Sequence, residues 1–177
     1  GGRRMLSHES EPTTIVVNPY VLSNPIDESQ VFGIEAFVTH PLHETISGID
    51  HDFMIIKLNG NTTTSLPYVR LNTNETLPYE NQSLQVMGWG ITEFGDISDT
   101  LQEVDVVSIT NEACSAASSE YGASITPDSL CAEENNKGSC QGDSGGPLVI
   151  QGSNNADEDD VQVGIVSWGI GCAEANR

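Results

Sequence analysis

Residues 135–150 read "NNKGSCQGDSGGPLVI", a cysteine, an aspartate and a serine set among four glycines ahead of an apolar run. A serine hydroxyl is a poor nucleophile until a base removes its proton and donors hold the oxyanion that forms. Neighbouring glycines let backbone amides approach a substrate carbonyl and adopt dihedrals that other residues resist. The plain alternative is a glycine-rich turn into the strand "PLVI", and a bare G-x-S-x-G would support no more than that. Here the pattern is longer, because "CQGDSGGPLV" is followed about twenty residues on by "SWGIGC".

Outward from this stretch the periodicity is that of strands. "TTIVVNPYVL", "QVFGIEAFVTH", "DFMIIKL", "SLQVMGWG", "LQEVDVVSI", "GPLVIQG" and "VQVGIVSWG" are short, rich in valine and isoleucine, and bounded by glycine, proline, asparagine and aspartate. They predict an all-β sandwich or barrel. "TNEACSAASSEYG" reads instead as a short helix with Thr110 or Asn111 as its N-cap. "GNTTTSLPYVRLNTNETLPYENQ" separates two groups of strands and reads as a connection between units. "SNNADEDD", at 153–160, reads as a solvated loop between strands. It lacks the spaced ligands and central glycine of a helix-loop-helix calcium site, and no metal is expected.

Composition bounds the function. Lysine plus arginine number 6 against 26 aspartate plus glutamate, a formal charge of −20 over 177 residues. Nucleic acid and anionic membranes require the opposite sign, so neither is expected as a partner. No apolar run approaches the roughly 20 residues of a spanning helix. The cysteines, Cys114, Cys131, Cys140 and Cys172, allow three disulfide connectivities, and no C-x-x-C pair favours zinc. Asn61, Asn74 and Asn81 each open an N-x-S/T acceptor sequence. Clustered sequons beside an even cysteine count point to a secreted glycoprotein.

Taken together, these stretches resemble the trypsin/chymotrypsin family of serine endopeptidases. "GDSGGPL" resembles the family's nucleophile loop, "DHDFMIIKL" the segment that supplies its triad aspartate, and "VMGWG" with "TLQEVDVVSITNEAC" the opening strands of its second barrel. "GIVSWGIGC" resembles the strand that pairs with the substrate backbone. The resemblance implies two antiparallel Greek-key β-barrels with one short helix in the second. Residues 1–72 would form an incomplete N-terminal barrel carrying the aspartate, and 73–177 a C-terminal barrel carrying the nucleophile and specificity pocket. The family domain would extend beyond both ends of these residues.

The roles follow by resemblance. Ser144 would be the nucleophile, Asp52 the triad aspartate, and the amides of Gly142 and Ser144 the oxyanion hole. Asp143 would take the ammonium that zymogen cleavage creates. Gly138, Ser139, Gln141, Ser167, Trp168 and Gly169 would line the substrate site, with Cys114 bonded to Cys131 and Cys140 to Cys172. Leu84 and Ile150 stand where many relatives carry a further disulfide. The family's "TAAHC" around the base has no counterpart, and His8 is the histidine at the expected distance before Asp52. An ordinary exposed histidine near the terminus is the other reading of His8. His43 and His51 lie too close to Asp52 in sequence to match the family's base.

Gly138 occupies the position where trypsin-like relatives place a pocket-floor aspartate, which implies a chymotrypsin-like preference for bulky apolar residues. The implied activity is proteolysis of protein or peptide substrates by a monomer, with protein inhibitors as further partners and no cofactor. The reading from another class is an inactive homologue that binds or regulates. An α/β-hydrolase esterase is disfavoured by the lack of alternating strands and helices.

Overall fold

The computed structural model of the chain describes residues 12–43, 50–62, 68–92, 94–117, 124–134, 138–152, 159–170 and 172. Strands dominate, as the short β-branched runs require. The N-terminal half holds β1 (Thr14–Val16), β2 (Val31–Thr39) and β3 (Met54–Leu58), joined in that order into one antiparallel sheet. A 3-10 turn at Glu28–Gln30 leads into β2, capped by Asp27, whose carboxylate accepts from the amide and hydroxyl of Ser29. These bonds favour the charged form, and the Ser29 hydroxyl, then its amide, hold Asp27 below the ordinary aspartate pKa.

The C-terminal half is built on β5 (Ser83–Gly88), β6 (Gln102–Ile109), β8 (Pro147–Ile150) and β9 (Val161–Ile165). Two short strands complete its sheet, β4 (Arg70–Leu71) at one edge and β7 (Cys131–Glu133) at the other, in the order β4-β9-β8-β5-β6-β7. The apolar alternation of these strands converges on Leu84, Val86, Val106 and Leu148, with Val104, Leu130, Ile150, Val163 and Val166 packed around them. Leu84 and Ile150 both contribute apolar side chains to this cluster. Buried Ser108 is satisfied on both sides, donating to the Tyr79 carbonyl and accepting from the Gln82 amide.

The all-β class is as expected, but neither sheet is a closed barrel. Three strands are too few to wrap on themselves. In the six-stranded sheet the two edge strands have only 2 and 3 residues and do not pair with each other. The β4–β9 pairing is parallel, whereas the remaining pairings are antiparallel among the described residues. Helix α1 (Asn111–Ala117) forms where the sequence places it. Its cap is Thr110, whose hydroxyl accepts from the amide of Ala113 at 3.1 Å.

The two halves are laced together by polar contacts. Leu22 donates its amide to the Asp99 carbonyl, Leu101 donates to that of Tyr20, and the Ser23 hydroxyl reaches Asp99 at 2.6 Å. No helix among the described residues is long and apolar enough to cross a membrane.

Candidate active site

The "GDSGG" loop turns because glycine permits it. Gly142 has φ 100°, a left-handed conformation that side chains rarely adopt, and a Cβ there would lie 3.1 Å from the Cα of Gly90. Asp143 stabilises the turn from within: one carboxylate oxygen accepts from the Gly90 amide and the other from that of Cys140, each at 2.8 Å. Both oxygens of the Asp143 carboxylate are thus engaged by backbone amides. Ser144 follows at the exposed tip of the loop. Backbone bonds are donated here by Asp143, Gly145 and Gly146, and among the described residues the amides of Gly142 and Ser144 find no backbone acceptor.

Beyond Ser144 the chain is zipped to the end of β9. Gly145 donates its amide to the Val166 carbonyl at 2.8 Å, and Val166 donates back to Gly146 at 2.9 Å. The next residue, Ser167, directs its hydroxyl to Asp52 Oδ2 at 2.6 Å, across 115 residues of sequence. Asp52 and Ser144 are therefore joined through one short path, from Ser144 to Gly145, across to Val166, and on through Ser167 to the carboxylate.

Asp52 is open to solvent, with 47% of its side chain exposed. Strand β3 begins only at Met54, so Asp52 lies on the approach to the sheet and outside its packed face. Its other oxygen faces His43 Nδ1 at 3.9 Å. Neither contact was legible in the sequence. The resemblance places Ser167 on the substrate strand, and His43 lies too near Asp52 in sequence to match the family's base.

The remaining expected residues fall around this centre. Gly138 and Ser139 are half-buried, and Gln141 is exposed, with its carbonyl accepting from Ile91. Trp168 and Gly169 are exposed just past Ser167. The disulfides are Cys114–Cys131, with Cα atoms 6.3 Å apart, and Cys140–Cys172, at 4.9 Å. The second ties the nucleophile loop to the segment following Gly169. His8 and most of the acidic loop, 153–158, lie outside the described residues. Asp160 from the end of that loop accepts the Gly152 amide at 2.8 Å. Asn61, Asn74 and Asn81 are exposed.

Asp50, His51 and Asp128 bring potential metal ligands within 4.8 Å of one another. His51 faces Asp50 with Nδ1 and Asp128 with Nε2, at 3.5 and 3.4 Å. The imidazole thus lies between the two carboxylates, and its buried Nδ1 makes no hydrogen bond.

The trypsin family model matches residues 7–177. The chain belongs to the trypsin family. Trypsin delta of Drosophila melanogaster is 35% identical over 147 residues, covering 82% of this chain and 54% of that protein. Trypsin alpha-3 of Lucilia cuprina is 35% identical over 144 residues, covering 81% of this chain and 82% of the relative. A hepatocyte growth factor activator serine protease of Mus musculus is 31% identical over 174 residues, covering 93% of this chain and 26% of that protein. The chain thus spans about half the length of the Drosophila trypsin it matches. Membership explains why the loop at Ser144, the segment at Asp52 and the strand at Ser167 occur together.

Proposed function

We propose that the protein is a serine endopeptidase that cleaves peptide bonds through an acyl-enzyme. The observation that supports this most is the Ser167–Asp52 hydrogen bond at 2.6 Å, one residue from the strand pairing that anchors the Ser144 loop. A carboxylate fixed there can orient an imidazole and stabilise it once protonated. Ser144 Oγ attacks the scissile carbonyl carbon, its proton passes to the imidazole and then to the leaving amine, and water hydrolyses the ester. The amides of Gly142 and Ser144 hold the oxyanion, favoured by the left-handed turn at Gly142. His8 is the base in this reading. It lies inside the matched region, which begins at residue 7, and stands 44 positions before Asp52.

The finer reading follows from the same residues. Gly138 at the pocket floor leaves no anionic anchor, so bulky apolar or aromatic side chains are the preferred residues on the acyl side of the cut. Gly138, Ser139 and Gln141 on one side, and Ser167, Trp168 and Gly169 on the other, form the substrate-binding walls. The protein is a secreted monomer made as a zymogen, glycosylated at Asn61, Asn74 and Asn81. Residues 1–72 and 73–177 are its two units, and protein inhibitors compete with its protein substrates.

The test is hydrolysis of an unfolded protein substrate by the chain, by Ser144→Ala and by Asp52→Asn. The expected result is cleavage after bulky apolar residues, abolished by the first variant and greatly slowed by the second. Cleavage unaffected by Ser144→Ala would overturn the assignment. Stable binding of the substrate protein with no cleavage would favour the inactive homologue.

A further inference from the structure

Asp52 is preceded by a residue whose backbone is not at rest. His51 has φ 54°, and a non-glycine residue in the left-handed region persists only where its surroundings hold it. The surroundings here are specific. Nδ1 of the imidazole faces Asp50 Oδ2 at 3.5 Å, and Nε2 faces Asp128 Oδ2 at 3.4 Å. The ring stacks on that of His40, with centroids 4.5 Å apart and planes 9° from parallel. Asp50 is only 6% exposed, and its Oδ1 accepts from the Thr126 hydroxyl at 3.0 Å and from the His51 amide at 3.2 Å. The His51 carbonyl accepts from the Phe53 amide at 2.9 Å, closing a tight turn whose middle residue is Asp52.

Asp50 and His51 belong to the N-terminal half, whereas Thr126 and Asp128 belong to the half that carries Ser144. We infer that His51 is a positioning residue for Asp52. Lying between Asp50 and Asp128, stacked on His40 and tied by its amide to Asp50, it fixes the turn that aims the Asp52 carboxylate at Ser167 and at the catalytic imidazole. The inference rests on the endopeptidase reading. Coulomb attraction alone between an exposed Asp128 and an imidazole is weak in water. The contribution is orientational, because catalytic geometry is far more sensitive to small displacements than fold stability is.

The experiment measures kcat and KM for Ser144-dependent hydrolysis of a peptide substrate by the whole chain. Asp128→Ala removes an outer carboxylate that is 62% exposed, so the fold should survive and the melting temperature should stay near that of the parent. The expected result is a fall in kcat of about tenfold with KM unchanged, since a sub-ångström shift of a positioning group costs on this scale. Asp128→Glu, which keeps the charge on a longer arm, should recover most of the loss. His51→Gly accepts the left-handed backbone without strain. It should lose about as much, with no further fall when combined with Asp128→Ala, as expected of residues acting as one unit.

Wild-type kcat in both Asp128→Ala and His51→Gly would overturn the inference while leaving the endopeptidase reading intact. Equal losses in kcat and KM that Asp128→Glu does not restore would also overturn it. Absence of hydrolysis by the parent chain would overturn the endopeptidase reading and this inference with it.

Discussion

The two sheets of this molecule are stabilised in different ways. In the six-stranded sheet the alternation of the sequence becomes a dry cluster, with Leu84 only 1% exposed against Val86, Val106 and Leu148. In the three-stranded sheet Val38, Met54 and Ile55 are exposed, Ile55 by 63%, and Phe32 is the buried hydrophobic among its described residues. The sheet with the larger core bears the Ser144 loop. The sheet with the smaller one bears Asp52, and its active-site end is placed by polar contacts to its neighbour, through Ser167, Thr126 and Asp128. In the proposed reading the larger core carries the Ser144 loop, and directional bonds hold the Asp52 carboxylate against Ser167.

The largest effect should appear in the six-stranded sheet. Leu84→Ala is expected to cost about 2–5 kcal/mol in urea unfolding, the range for a buried leucine truncated to a methyl. Ile55→Ala in the other sheet should stay within about 0.5 kcal/mol. Equal losses would erase the distinction between the two regions. Replacing both Cys114 and Cys131 by alanine should cost about 3 kcal/mol, because the bridge closes a loop of 17 residues inside the same region. A melt unchanged by that replacement would mean that the core alone sustains this half.

Ser167→Ala should show the opposite profile, with about 1 kcal/mol or less lost in stability, as for one hydrogen bond. Peptide hydrolysis should still fall markedly as Asp52 loses its anchor. A large loss of stability with unchanged hydrolysis would refute the claim that directional bonds serve the site. The smallest effect is local to the N-terminal half. The Asp27 carboxyl is held below its ordinary pKa by Ser29, so its contribution to stability is present above the unfolded value and fades as pH falls through the folded one. An NMR titration should place the Asp27 midpoint below the ordinary aspartate range in the parent and move it part of the way back in Ser29→Ala, which removes the hydroxyl donor and keeps the amide.

Much of this was legible in the sequence. Six of the seven runs became strands of 4 to 9 residues, because period-two patterning encodes a half-buried face locally, while the first yielded only the three residues of β1. The Ser144 loop was legible because its glycines answer a backbone requirement that few other residues can meet. Strands β4 and β7 were not, since two or three residues carry no period, and their pairing is imposed by neighbours. Open sheets in place of closed barrels have the same origin, because closure depends on edge strands the pattern does not specify. The bonds from Ser167 to Asp52 and from Thr126 to Asp50 span 115 and 76 residues, and no local pattern announces a tertiary contact. The left-handed conformation of His51 was equally silent, since histidine adopts it only where the fold demands it.

The central claim is that Ser144 is an activated nucleophile, and its most direct test is the reaction of the intact chain with a fluorophosphonate followed by peptide mapping. One rapid covalent adduct is expected, on the Ser144 hydroxyl, absent from Ser144→Ala and slowed in Asp52→Asn. A folded chain whose Ser144 reacts no faster than other serines would contradict it.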